Sequence, residues 1–258
     1  MIIGINGKIG SGKDTIGKIV QYLTTHPYDV DIQTYLDKEV NGQFEIKSNV
    51  HTIPLVEIKK FAGKLKQIAS ILTGIPVKKF EDQEFKKNLL DVEWGTVQQI
   101  PLNSIPPFAD MQFNVLMSVR EFLQRLGTEA MRDGLHTNVW VNALFADYKP
   151  GVTYQMEILD LESSDLQREK IGKPVHSEYP NWIITDMRFP NEMEAVVKRN
   201  GITIRVTRPV KKSKNTAKLH PSETSLDKAK FDYEIINDGT MEELVKKVKE
   251  ILIKEKLI

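Results

Sequence analysis

The chain has 258 residues, 40% of them hydrophobic, enough to bury a sizeable core without disulfide or metal staples. Its 36 basic and 35 acidic residues leave a formal charge of +1, so no global field draws it to DNA or to an anionic membrane. It has no cysteine, which excludes disulfides, thiolate metal sites and cysteine nucleophiles and fits a reducing compartment. No secretory leader pattern opens it and no apolar run approaches the roughly 18 residues of a membrane span, so a cytoplasmic protein is the expectation.

Met1 to Ile5 is a short apolar run ending near glycine and reads as a strand buried on both faces. The stretch "GINGKIGSGKDT" follows. Gly7, Gly12 and Lys13 meet the phosphate-binding pattern G-x-x-x-x-G-K-[ST], but Asp14 stands where the pattern wants a hydroxyl. Ile16, Ile19, Val20 and Leu23 then recur at helical spacing, so the glycine loop runs from a strand into a helix. That context lets unpaired backbone N–H groups and the helix dipole face a phosphate, with the Lys13 charge added. Two readings account for Asp14. Either the loop is degenerate and does not hydrolyse, or Thr15 supplies the hydroxyl while Asp14 places a favourable charge at the helix N-terminus and holds a magnesium-bound water.

Residues 26 to 49 are polar and broken by Pro27, Asn41 and Gly42, a variable connection or edge hairpin to which no chemistry is assigned. "PLVEIKKFA" reads as a second strand. Phe61, Leu65, Ile68, Ala69 and Leu72 form a helical stripe stopped by Gly74 and Pro76. Residues 77 to 118 mix charge with a proline-rich loop. A third stripe, Val119, Phe122, Leu123 and Leu126, runs into "GTEAMRDGLHTNVWVNAL", where apolar spacing resumes at Trp140. Residues 149 to 180 are polar again, an insertion or surface flap. "NWIITD" is a buried strand, Pro190 suits the first turn of the next helix, and Gly201 suits its stop. Ile202, Ile204 and Val206 alternate as a strand, "RPVKKSKNTAK" is basic, and "YEIIND" is the last strand. Thr240 and Glu243 form a capping box before a helix with Met241, Leu244, Val245, Val248, Ile251 and Leu252 on one face.

Strands alternating with helices predict a parallel sheet covered on both sides. In "WIITDMRFPNE", Asp186 at a strand end is placed to face a magnesium ion, or else it caps the following helix. Arg188 either clamps a phosphate or pairs with Glu192 or Glu194 on the surface. Arg205 lies on an alternating strand and supplies charge to a ligand or faces solvent; Arg208 opens a basic stretch that reads as a lid or as a solvated loop. His220 and Glu223 in "HPSE" read as lid-hinge residues, too few for a zinc site.

The segments "GKIGSGKDT", "EIKKFAGKLKQIAS", "VREFLQRLGTEAMR" with Trp140 downstream, "ITDMRFPNE" and "HPSETSLDKAKFDYEIINDG" occur in the order seen in phage-type deoxynucleoside monophosphate kinases. The chain resembles that family over its core and both ends, though not over residues 26–50, 77–115 and 149–180. The resemblance implies an α/β P-loop NTPase fold in a single kinase domain, its parallel sheet flanked by helices. The core would fall near 1–25, 50–75, 181–206 and 231–258, with an acceptor-binding region near 56–148, a variable insertion near 149–180 and a short lid near 207–230. It implies ATP and Mg2+ as cofactors, a deoxynucleoside 5′-monophosphate as acceptor, no nucleic-acid or membrane partner, and a homodimer as one possible assembly. Gly7, Gly10, Ser11, Gly12, Lys13, Asp14 and Thr15 would hold ATP, and Thr15 and Asp186 the metal. Phe61, Lys64, Arg120, Gly127, Thr128, Asp186, Arg188 and Glu192 would line the acceptor pocket, with Trp140, otherwise a core aromatic, near the base. Lys13, Asp186, Arg188 and Arg208 would carry catalysis, and Asn237 to Gly239 are placed for adenine contacts. A P-loop kinase for another small metabolite and an ATP-binding switch without kinase activity are the alternatives.

Overall fold

The computed structural model describes residues 1–25, 31–37, 44–45, 51–52, 56–99, 112–154, 174–209 and 224–258. They fall into two compact units, one built from 1–60 with 144–258 and the other from 61–143. The first unit opens with β1 (Ile2–Gly7), α1 (Lys13–Thr25), a short α2 (Ile32–Asp37), the hairpin of β2 (Phe44–Glu45) and β3 (His51–Thr52), and β4 (Val56–Lys59). The second carries α3 (Ala62–Thr73), short 3-10 turns, the hairpin of β5 (Thr96–Gln99) and β6 (Gln112–Val115), α4 (Val119–Gln124), and a π-helical segment Arg125–Asp133. α5 (Val139–Phe145) follows. The chain completes the first unit with the hairpin of β7 (Gly151–Tyr154) and β8 (Pro174–Glu178), then β9 (Asn181–Ile184), α6 (Pro190–Val197), β10 (Ile202–Thr207), β11 (Tyr233–Ile236) and α7 (Met241–Lys254).

Five strands of the first unit form one sheet in the order β11-β10-β1-β9-β4, every pair parallel. β1 can take the centre because it is apolar on both faces, with Ile2, Ile3 and Ile5 at most 1% exposed. α1 lays Ile16, Ile19 and Val20, and α7 lays Leu244, Val248, Ile251 and Leu252, against Ile3, Ile5, Ile183, Ile204 and Val206 of the sheet. The register sets Gly4 opposite Ile184 of β9 and Gly7 opposite Val206 of β10. The glycine loop therefore leaves the sheet between the C-terminal ends of two neighbouring strands, where open α/β sheets bind ligands.

Three local expectations change. The turn that follows α6 carries Asn200 in the left-handed conformation (φ 54°), whereas Gly201 is needed for space: a Cβ there would lie 2.7 Å from Val196 and 3.0 Å from the Ile2 carbonyl oxygen. The polar stretch after α1 contains α2, held by a buried Tyr35 whose hydroxyl donates to Gln21 Oε1 at 2.9 Å. The third apolar stripe does not continue as α-helix; beyond Gln124 the turns widen into the π-helical segment.

The second unit has its own core of Ala69, Phe80, Leu90, Val119 and Phe122, with Trp94 packed edge-on to Phe122 at 4.9 Å between ring centres. Gly74 ends α3 at φ 71°, as its sequence position implies, and the Ser118 hydroxyl caps α4 by accepting from the Glu121 N–H. Among the described residues no helix is long and apolar enough to cross a membrane.

Candidate functional site

The loop from Lys8 to Gly12 is shaped by backbone that only glycine adopts without strain, φ being +77° at Gly10 and +99° at Gly12. Close approach adds a second constraint. A Cβ on Gly7 would lie 2.5 Å from both the Ser11 hydroxyl and the Val206 carbonyl oxygen, and one on Gly12 would lie 2.5 Å from the Asn237 amide nitrogen. Asn237, at the end of β11, donates from that amide to the Ser11 carbonyl at 2.9 Å, while its own N–H bonds the Thr207 carbonyl. It thus clamps the loop from β11, where adenine contacts were expected. The Lys13 ammonium donates to the Lys8 carbonyl at 2.8 Å. The Ser11 hydroxyl is buried with no hydrogen-bond partner among the described residues. An orphaned hydroxyl in a cradle that leaves no room for a Cβ at Gly7 or Gly12 fits a group bringing its own acceptor oxygens, as a polyphosphate does.

Beside the loop lies a cavity of about 300 Å³ lined by Asn6 to Ser11, Arg188, Arg205 to Arg208, Leu226 and Asp227. Gly7, Gly10, Ser11, Arg188 and Arg208, all singled out from sequence, meet here. The positive side chains of Lys8, Arg188, Arg205 and Arg208 outnumber the one carboxylate, Asp227. Arg205 is only 15% exposed and is tied to the turn below it: its guanidinium donates to the carbonyls of Leu226 and Asp227 and to Asp227 Oδ1, at 3.0 to 3.1 Å. It is therefore not a solvated, outward-facing arginine. Arg208 is exposed and makes no ion pair with a described residue. Residues 210–223, with His220, Glu223 and most of the expected lid, lie outside the described residues.

Asp14 turns to the ends of β9 and β4. Its Oδ1 accepts the Thr185 hydroxyl at 2.8 Å and the Lys60 ammonium at 3.2 Å. Desolvation alone would raise this carboxyl, but the Lys60 charge, the Thr185 hydroxyl and, more weakly, Lys13 outweigh it and hold it below the usual carboxylate value. Thr15 follows in the first turn of α1, and Asp186 follows Thr185 just beyond β9, on the strand beside β1. Asn6 fixes this strand end by donating to the Met187 carbonyl at 2.8 Å. Glu192 is 5% exposed, and its Oε2 accepts the backbone N–H groups of Arg188 and Phe189 at 2.6 and 3.0 Å. It therefore caps α6 and fixes the backbone that carries Arg188.

Phe61, Lys64, Arg120, Gly127, Thr128 and Trp140 belong to the second unit. There Trp140 is buried, and its indole N–H donates to the Gly127 carbonyl at 2.8 Å. A Cβ on Gly127 would lie 2.8 Å from Leu65, so glycine is what lets the π-helical segment close on α3. Arg120 donates to Gln83 Oε1 at 3.1 Å and Phe61 is 2% exposed. Lys60, Thr185 and Asp227 had no site role in the sequence, and Asn237 was expected at adenine rather than as a clamp on the loop. Each acts through a residue distant in the chain, and only "EIIND" carried a signal, as a strand end.

A glycine loop between a central parallel strand and a helix that opens on lysine, flanked by a strand leading to an aspartate, defines a P-loop kinase-like α/β protein. A profile of the family described as deoxynucleotide monophosphate kinase matches residues 1–248, and the chain belongs to that family of phosphotransferases. The deoxynucleotide monophosphate kinase of Enterobacteria phage T4 is 31% identical over 135 residues, 52% of this chain and 45% of that protein. The deoxynucleoside-5′-monophosphate kinase of Escherichia phage T5 is 23% identical over 256 residues, 92% of this chain and 89% of its own. A protein of Acanthamoeba polyphaga mimivirus described as a putative deoxynucleotide monophosphate kinase is 28% identical over half of this chain.

Proposed function

We propose that the protein transfers the terminal phosphoryl group of ATP to a deoxynucleoside 5′-monophosphate, with magnesium. The observation that carries the reading is the continuity of the Gly7–Gly12 cradle with a cavity lined by Lys8, Arg188, Arg205 and Arg208. Backbone N–H groups of the loop and the α1 dipole bind the donor phosphates. Lys13 adds a charge that the flexible stem can carry from the Lys8 carbonyl to a phosphate oxygen. Arg188 and Arg208 offer guanidinium groups to equatorial oxygens, which is where such a transfer needs charge. Arg205, held by the 226–227 turn, contributes a fixed positive potential to the cavity. Thr15 and Asp186 supply oxygen donors in keeping with magnesium, which binds through one or two protein oxygens together with substrate phosphates. A magnesium ion held there would supply positive charge to offset that of the donor phosphates. The second unit, with Lys64, Arg120, Thr128 and the Trp140–Gly127 bond, holds the acceptor. Within the first unit, Glu192 fixes the backbone that carries Arg188.

The test is ADP release from ATP and magnesium, screened against each deoxynucleoside and ribonucleoside monophosphate with no-acceptor and DNA controls. Release confined to certain deoxynucleoside monophosphates is expected. ATP binding without release for any nucleotide would move the assignment to another small acceptor or to a switch.

A further inference from the structure

The aspartate that interrupts the phosphate-loop pattern ties the first turn of α1 to the ends of two strands. Asp14 is the second residue of α1, Thr185 directly follows β9, and Lys60 directly follows β4. The register sets Ile184 of β9 beside Lys59 of β4, so Thr185 and Lys60 leave adjacent strand ends, and Asp14 meets them from the first turn of α1. One oxygen, Asp14 Oδ1, takes both the Thr185 hydroxyl and the Lys60 ammonium. A serine or threonine at position 14 offers a shorter, neutral acceptor and could not neutralise an ammonium.

The neighbours of these residues give the tie its meaning. Thr15 stands next to Asp14 and Asp186 next to Thr185, so the bond between 14 and 185 joins the residues adjoining the two oxygen donors assigned to magnesium above. Gly17, one turn further along α1, lies flush on the same threonine: a Cβ there would be 2.6 Å from Thr185 Cγ2. Thr185 is 1% exposed beneath the Asp14 side chain, which is itself largely exposed, so Asp14 covers the hydroxyl as well as accepting from it.

We propose that Lys60 and Thr185 are positioning residues: through Asp14 they fix the first turn of α1 against the end of β9, and so set the spacing at which Thr15 and Asp186 meet a magnesium–nucleotide complex. This rests on the proposed function. Neither residue touches the reacting atoms. Lys60 holds the carboxylate in one place, and Thr185 transmits that place to Asp186.

The experiment measures binding of a fluorescent ATP analogue to the full chain across a magnesium titration, with no acceptor present. The proteins are wild type, Lys60→Met, Lys60→Arg, Thr185→Val, Asp14→Asn and the Lys60→Met/Asp14→Asn double variant, each checked for a cooperative thermal transition. Lys60→Met and Thr185→Val are expected to raise the half-saturating magnesium concentration about tenfold, as loss of a partner that orients a metal ligand commonly does, while nucleotide affinity without magnesium stays within about twofold. Lys60→Arg is expected to restore the wild-type midpoint. The double variant should be no worse than Asp14→Asn alone, because both changes remove one interaction. An unshifted magnesium midpoint, an equal loss with and without magnesium, or additive effects in the double variant would overturn the proposal. Failure of the wild-type chain to bind the analogue at any magnesium concentration is a different result, and it refutes the nucleotide-kinase reading itself.

Discussion

Lys13 and Arg188 reach the phosphate cradle by different routes. Lys13 opens α1, rests on the Lys8 carbonyl and depends on a flexible stem. Arg188 lines the cavity, and its backbone is fixed by the buried carboxylate of Glu192. On the proposed function, replacing either by alanine removes charge from transfer without disturbing the sheet, so Lys13→Ala and Arg188→Ala should each abolish ADP release while far-UV circular dichroism and the thermal midpoint stay near wild type. Near-normal turnover in either folded variant would remove that residue from the mechanism. Asn237 makes a finer test. Its amide holds the Ser11 carbonyl, and Asn237→Ala leaves a cradle of unchanged composition but lacking its clamp. Loss of such a bond costs about 1 kcal/mol, which at the loop itself corresponds to roughly fivefold weaker ATP binding with little change in affinity for the acceptor. Direct titration of each substrate separates the two.

The elements fold as their sequences specify where the signal is local. Thr240 and Glu243 exchange side-chain and backbone bonds at the start of α7, so Thr240→Ala should cost about 1 kcal/mol in chemical denaturation and leave the site untouched. α2 is held from outside itself. Tyr35 donates to Gln21, which in turn donates to the Val56 carbonyl, and burial pushes the Tyr35 hydroxyl up to about 12. A folded-state value above the ordinary one near 10 means that this stabilisation is fully present below pH 10 and is lost as pH rises towards 12. Tyr35→Phe, which strands the Gln21 acceptor, should therefore destabilise by about 1–3 kcal/mol at neutral pH. The gap between wild type and variant should narrow between pH 10 and 12 in urea midpoints measured across that range. The π-helical segment is likewise set from outside: the helical stripe from Val119 to Leu126 was visible in sequence, but the Trp140 indole on the Gly127 carbonyl and the contact of Gly127 with Leu65 were not.

At the scale of the molecule, each unit has a core of its own among the described residues. The larger one surrounds a five-stranded parallel sheet; the smaller gathers Phe80, Leu90, Val119 and Phe122 around α3 and α4. Phe122 is 6% exposed, and its removal leaves a cavity against Trp94. Phe122→Ala should cost about 3–5 kcal/mol, the range for deleting a buried phenyl ring. Amide exchange should accelerate first across residues 61–143, and uniform acceleration over the whole chain would show that the smaller core is not a unit of its own.

By itself the sequence determined the phosphate loop, the alternation that yields a parallel sheet, the aspartate beyond the strand beside β1, and the caps at Gly74 and Thr240. All of these are written within a few consecutive residues, where steric limits, hydrogen-bond reach and apolar period leave little choice. Tertiary structure alone decided what Asp14 does, that Arg205 is pinned to the 226–227 turn, that Asn237 clamps Ser11, and that Glu192 caps α6 while fixing Arg188. Three of these four bonds join residues far apart in the chain, which meet only once parallel pairing has fixed the order and register of β4, β9, β1, β10 and β11. The fourth, from Glu192, is local, but its carboxylate could equally have faced the cavity, and burial of the α6 N-terminus is what directed it to the backbone.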